Sequence, residues 1–192
     1  SLDWTVERAF HWMLRRRAEE GRVVLHVPPA AEGEFIHRAR SPESVLELFS
    51  DIYIDKSVWE NRVNGEFLAK RARAILATFD TWGKGASGGD FVALDEFLLK
   101  HRDVFYLIDE QKRRIGDAPA RTSINGDEIY PEKGDRDIMS DAASIASTCH
   151  ADIGSVLVAT RDSDFRLVSR ALEEEFGFGV IGDAQQLNSR VL

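Results

Sequence analysis

Residues 156–165 read Val-Leu-Val-Ala-Thr-Arg-Asp-Ser-Asp-Phe. The apolar, partly β-branched run Ser155–Ala159 predicts a buried strand. It leads through Thr160 into Asp162 and Asp164, and a helix is expected from there to about Phe176. A second strand follows over Gly179–Ile181, then a short terminal helix. A strand, a helix and a strand in this order favour parallel pairing, with the functional crevice beyond the carboxyl ends of the strands.

Further from this stretch, similar units recur. Residues 4–20 carry a broad apolar helical face with Trp4, Phe10, Trp12 and Leu14, and Arg15–Arg17 lie beyond it. Val23–Val27 reads as a short strand ended by Pro28-Pro29, and Ser41-Pro42 suits a helix start. Ile52-Tyr53-Ile54 is a compact β-type run that ends at Asp55. Helical spacing covers 58–80, 91–101 and 136–148, while Val104–Ile108 (VFYLI) reads as a buried strand before Asp109-Glu110. The windows 83–89 and 116–134, the latter with Pro119, Asn125-Gly126 and Pro131, read as loops or a flap. Three expected strands therefore end in carboxylates, at Asp55, Asp109 and the Asp162/Asp164 pair.

One Asp at a strand end ordinarily caps a helix or a turn. Several at one sheet edge repel, and a cluster of this kind calls for a cation or a raised pKa. Hard divalent ions such as Mg²⁺ take oxygen ligands, and a pair of them can activate water and stabilise the leaving oxygen of a phosphodiester. Asp137 and Asp141, four apart on the expected helix, share one face, and a like-charged pair at that spacing costs helix stability unless something offsets it. Asp135, just upstream, is either a further ligand candidate or a helix-capping carboxylate.

Three segments resemble PIN-like nuclease domains. Ile52–Trp59 (IYIDKSVW) is similar to their opening strand, Lys133–Ala146 to their central acidic helix, and Val156–Phe165 to their late motif, with Phe165–Leu192 continuing in the same manner. The KGxxD-like element and the GFGV-to-Leu192 tail lean towards the NYN branch, whereas Ser57-Val58-Trp59 leans towards ordinary PIN domains. The resemblance covers about residues 51–192. It implies a three-layer α/β/α domain with a mainly parallel central sheet, preceded by an N-terminal α/β extension (1–50) packed on it. It also implies metal ligands at Asp55, Asp137 or Asp141, Asp162 and Asp164. Glu96, with Asp95 as its competitor, stands where such domains often add an acidic residue. The implied activity is endoribonucleolytic: Mg²⁺ or Mn²⁺ on the carboxylates activates a water, in a toxin, defence or RNA-processing role. Two other readings stand beside it. One is a haloacid-dehalogenase-like, Mg²⁺-dependent phosphatase, disfavoured because Asp55-Lys56-Ser57 lacks a second Asp. The other is a catalytically inactive scaffold that binds RNA or protein.

Composition sets the boundaries. The chain has 192 residues and a formal charge of −8, so nucleic acid must be met through a local basic patch. Candidates are Lys70, Arg71 and Arg73, then Lys112, Arg113 and Arg114, then Arg161 and Arg166, with Arg161 the preferred phosphate contact and Arg71, Lys112 and Arg113 next. The five His residues show no HxxxH or HxH spacing, no P-loop or GxGxxG occurs, and a single cysteine, Cys149, forms neither an internal disulfide nor a zinc cluster. No apolar run reaches the roughly 18–20 residues of a membrane span, no leader of secretory type is seen, and the single cysteine suits a reducing, cytoplasmic setting. The Trp-rich first helix suits a protein partner, a homodimer contact or packing on its own domain.

Overall fold

The computed structural model describes residues 12–38, 70, 73–74, 76–77, 79–84, 91–116, 120–148, 156–160 and 162–190. Within them the chain is mixed α/β. In chain order come β1 (His26–Val27), α1 (Pro29–Arg38), β2 (Gly83–Lys84), α2 (Phe91–Lys100), α3 (Arg102–Arg114), β3 (Thr122–Ile124), β4 (Asp127–Ile129) and α4 (Lys133–Thr148). They are followed by β5 (Val156–Ala159), α5 (Ser163–Arg166), α6 (Ser169–Phe176), β6 (Phe178–Ile181) and α7 (Ala184–Arg190). Residues 12–19 are also helical.

Among the described residues the strands pair two by two: β1 with β2 and β5 with β6 in parallel, β3 with β4 antiparallel. The β5–β6 register sets Val156 beside Phe178 and Ala159 beside Ile181, and Thr160 N–H donates to the Ile181 carbonyl. The expected helix after Asp164 is broken into α5 and α6. Gly177, at φ 75°, then ends α6 in the left-handed conformation that glycine adopts without strain, and turns the chain into β6. The flap over 116–134 contains a hairpin. Asn125 and Gly126 have φ of 53° and 91°, the paired positive values of a tight two-residue turn.

One apolar core joins these pieces. Leu94, Phe97 and Leu98 of α2 meet Phe105 and Ile108 of α3, Ile124, Ile129 and Tyr130 of the hairpin, and Met139 and Ala142 of α4. Phe165, Val168, Leu172 and Phe178 complete it. A smaller cluster, Ile181 and Leu187, is covered by Met13, Leu14 and Leu157, so the first helix packs on the α7 side while Trp12 faces solvent. No described helix is long and apolar enough to cross a membrane.

The expected strand over Val104–Ile108 is a helix. Phe105, Ile108 and Asp109 are buried while Tyr106 and Leu107 are 67% and 57% exposed, a three-to-four residue spacing that a strand cannot produce. The five-residue apolar window fits either element, and the following Asp-Glu-Gln-Lys-Arg-Arg run decides for helix by propensity. Asp109 is thus not a strand-end ligand: Arg113 Nε pairs with it at 3.1 Å and Arg121 from the other side. On this phase, Phe105→Ala should cost about 3–5 kcal/mol of unfolding free energy, and Leu107→Ala no more than about 0.5 kcal/mol. Urea denaturation of the two variants checks this, and similar losses at both positions would contradict the helix.

Candidate metal centre

Two helix starts are brought face to face. At the end of β5, Thr160 Oγ1 accepts from the Asp162 amide at 3.1 Å, and Asp162 caps α5 by accepting from the Asp164 amide at 3.1 Å. These local bonds fix both backbones. Phe165, fully packed in the core, pins the next residue. Opposite, α4 begins at Lys133, just after the hairpin, whose Thr122 hydroxyl donates to the Pro131 carbonyl at 2.9 Å. Asp135 lies in the first turn of α4. One carboxylate oxygen each from Asp135, Asp162 and Asp164 falls within 4.8 Å of the others, and this is the one such grouping of acidic, His or Cys ligands among the described residues.

The electrostatics of this trio are unfavourable when all three carboxylates are ionised. Asp164 is 0% exposed, and its Oδ2 has no hydrogen-bond partner. Burial pushes the Asp164 carboxyl above its ordinary range; the Tyr130 hydroxyl and Lys112 ammonium pull it back, and Asp162 adds to the rise. Asp135 is pushed up to about 8, by burial first and then by the charges of Asp164 and Asp162. Burial and the facing Asp164 also raise Tyr130. The donor set is all oxygen, with an orphaned buried carboxylate oxygen, and that fits a hard dication completed by water. The same set is a poor match for a softer metal, which prefers nitrogen or sulfur.

The remaining candidates are distributed differently. Asp137 and Asp141 do share a face of α4, but not the face of the trio. At 100° per residue Asp135 falls on the stripe of Met139, Ala142 and Ala146, which faces the core, and Asp137 falls well away from it. Asp141 is buried for another reason: its Oδ2 accepts from the Ala30 amide at 3.2 Å, in the first turn of α1. It satisfies a helix-start donor that would otherwise be orphaned. Asp137 is half-buried beside Arg136 at 4.0 Å. Glu96 is exposed on α2 and does not belong to the trio's grouping, and Asp95 takes a two-pronged bond from Arg136 at 2.7 and 2.9 Å. Asp55, Arg71 and Arg161 lie outside the described residues.

Among the basic candidates, Lys112 reaches the trio, its Nζ 3.8 Å from Asp164 Oδ1, while Arg113 turns to Asp109 and Arg114 to Glu110. One contributor, Tyr130, went unread in the sequence, and another, Asp135, was weighed there only as an alternative to a capping role. Tyr130 sits in a stretch without periodicity and left no signal. Asp135 did leave one, its register with Met139, Ala142 and Ala146. Compared with protein-family profiles, curated proteins and solved structures, the chain matches none.

The raised Asp135 makes a signed prediction. Its folded pKa exceeds the ordinary carboxyl value, so the native state binds the extra proton. Metal-free stability should fall as pH rises from about 4 to about 8, by up to about 1.4 kcal/mol per pH unit. In EDTA, Asp135→Asn should flatten this slope and raise Tm at pH 8, while Asp137→Asn should leave both near the parent values. Thermal melts across pH measure it. Millimolar Mn²⁺ should raise the parent's Tm more at pH 8 than at pH 5.5, because it replaces the proton there.

Proposed function

We propose that this protein is a divalent-metal-dependent endoribonuclease that hydrolyses RNA phosphodiesters at the Asp135–Asp162–Asp164 centre. The observation that carries the reading is the convergence of three carboxylates from two helix starts on one point, one of them fully buried with an unpartnered oxygen. The resemblance of Ile52–Trp59, Lys133–Ala146 and Val156–Phe165 to PIN-like domains gives it a substrate class. On this reading residues 51–192 form the three-layer nuclease domain with a parallel central sheet, residues 1–50 are its packed extension, and Asp55 joins the ligand set. Two features support that outline, the parallel β5–β6 pair and the seating of Met13 and Leu14 on Ile181 and Leu187.

In such a centre Asp135, Asp162 and Asp164 would hold Mg²⁺ or Mn²⁺, which supplies an acidified water and a positive charge for the leaving oxygen. The chain's own share is orientation. Thr160 and the α5 start fix Asp162; Tyr130 and the core fix Asp164; the α4 start fixes Asp135. Lys112 provides a positive charge at the rim, and Arg161 is the second proposed phosphate contact. These groups grip phosphate without reading bases.

The decisive experiment incubates the chain with labelled single-stranded RNA and Mn²⁺, and separately with a generic phosphomonoester. Asp162→Asn combined with Asp164→Asn should reduce RNA cleavage at least ~100-fold, and Asp135→Asn should do nearly as much. Asp137→Asn and Glu96→Gln should cut at close to the parent rate. A double variant as fast as the parent removes the site assignment. Turnover of the phosphomonoester alone points to the phosphatase reading, and RNA binding without cleavage points to the scaffold.

A further inference from the structure

Beside the trio stands a cation that the chain itself supplies. Lys112 lies in the last turn of α3 with its side chain largely covered. Its ammonium donates to the Tyr130 hydroxyl and lies 4.7 Å from the centre of the Tyr130 ring. Asp164 Oδ1 is 3.8 Å away, about 1 Å beyond the reach of a charge-assisted hydrogen bond. Of three successive cations at this helix end, Arg113 and Arg114 bend back to Asp109 and Glu110, each one turn earlier. Lys112 alone of the three turns to the trio. The Asp164 carboxylate is therefore divided. Oδ1 faces Lys112 and the Ser163 hydroxyl at 3.4 Å, and Oδ2 is buried and unpartnered.

We propose that Lys112 is a built-in competitor of the divalent ion: it balances Asp164 in the metal-free chain, yields that carboxylate when the ion enters, and then turns its charge to a phosphate oxygen of the RNA. The inference rests on the cation-site reading above. A dication and an ammonium on one carboxylate repel strongly at this range. The ion has three carboxylates to hold it, Lys112 one, so the ion prevails. Tyr130 keeps the displaced ammonium at the rim on its flexible stem. The ammonium, no longer balanced by Asp164, is then free to pair with an incoming phosphate oxygen. Metal and phosphate binding become coupled through one side chain, and linkage makes the coupling reciprocal.

The test measures two affinities on the full chain, with no cleavage needed. Mn²⁺ is titrated by calorimetry into the parent, Lys112→Met and Lys112→Arg. Binding of a labelled oligouridine is followed by fluorescence anisotropy in Ca²⁺. Lys112→Met should bind Mn²⁺ about tenfold more tightly and the RNA about tenfold more weakly. Lys112→Arg, which keeps the charge, should stay near the parent on both, and this guards against a general packing defect. Opposite signs for metal and RNA are the signature, since a merely structural lysine would weaken both. If the parent binds Mn²⁺ and Lys112→Met binds it no more tightly, the competitor role is overturned while the metal centre stands. If neither chain binds Mn²⁺, both proposals fall together.

Discussion

Mutual repulsion among Asp135, Asp162 and Asp164 is the constraint around which this part of the molecule is organised. Three carboxylates whose oxygens lie within 4.8 Å of one another are costly to hold, and the burial of Asp164 adds a desolvation penalty. The core provides the means to hold them. Phe165 and Val168 anchor the α5 turn in it, and Met139 and Ala142 anchor α4. Backbone bonds at Thr160 and Asp162 leave the acidic side chains few alternative directions. Clusters that carry strain of this kind persist where packing over-determines them, and they concentrate at sites of function.

Acidic residues elsewhere in the chain show what a settled carboxylate looks like. Asp109 lies between two arginines, Asp95 is gripped by Arg136, and Asp141 accepts a first-turn amide of α1. Each has a partner that accounts for its burial, and each contributes to structure: Asp141 ties α1 to α4, and Asp109 ties α3 to the approach of β3. Asp164 differs because one oxygen has no partner and the other has a lysine held slightly too far away. The contrast is between satisfied and unsatisfied carboxylates, and proximity in sequence does not decide it.

Long periodic stretches were legible from the amino-acid order. The 91–100 and 133–148 helices and the 156–159 strand lie close to their expected positions, because apolar spacing over ten or more residues, or a dense β-branched run, has little competition. The Asp162–Asp164 element was legible for the same reason, since a strand that stops at Thr160 must place its next carboxylates at the strand's end. Val104–Ile108 failed because five apolar residues carry no period of their own. Asn125-Gly126 was a turn signal, yet its flanking strands of three residues each were too short to announce a hairpin.

The choice between Asp135 and the Asp137/Asp141 pair turns on helical phase. A like-charged i,i+4 pair draws attention because its repulsion calls for an offsetting partner, and Arg136 beside Asp137 and the Ala30 amide on Asp141 supply that separately. Asp135 draws less notice at a helix start, where a carboxylate is at home with the dipole. Its register with Met139, Ala142 and Ala146 has the larger consequence. A carboxylate at the head of an apolar stripe must follow that stripe towards the interior, and at the end of the stripe it meets the residues packed under the facing helix start, here Asp164 under Tyr130. A polar residue in phase with the core face of its own helix is therefore the stronger indicator of a shared buried site than a pair of acids in phase with each other.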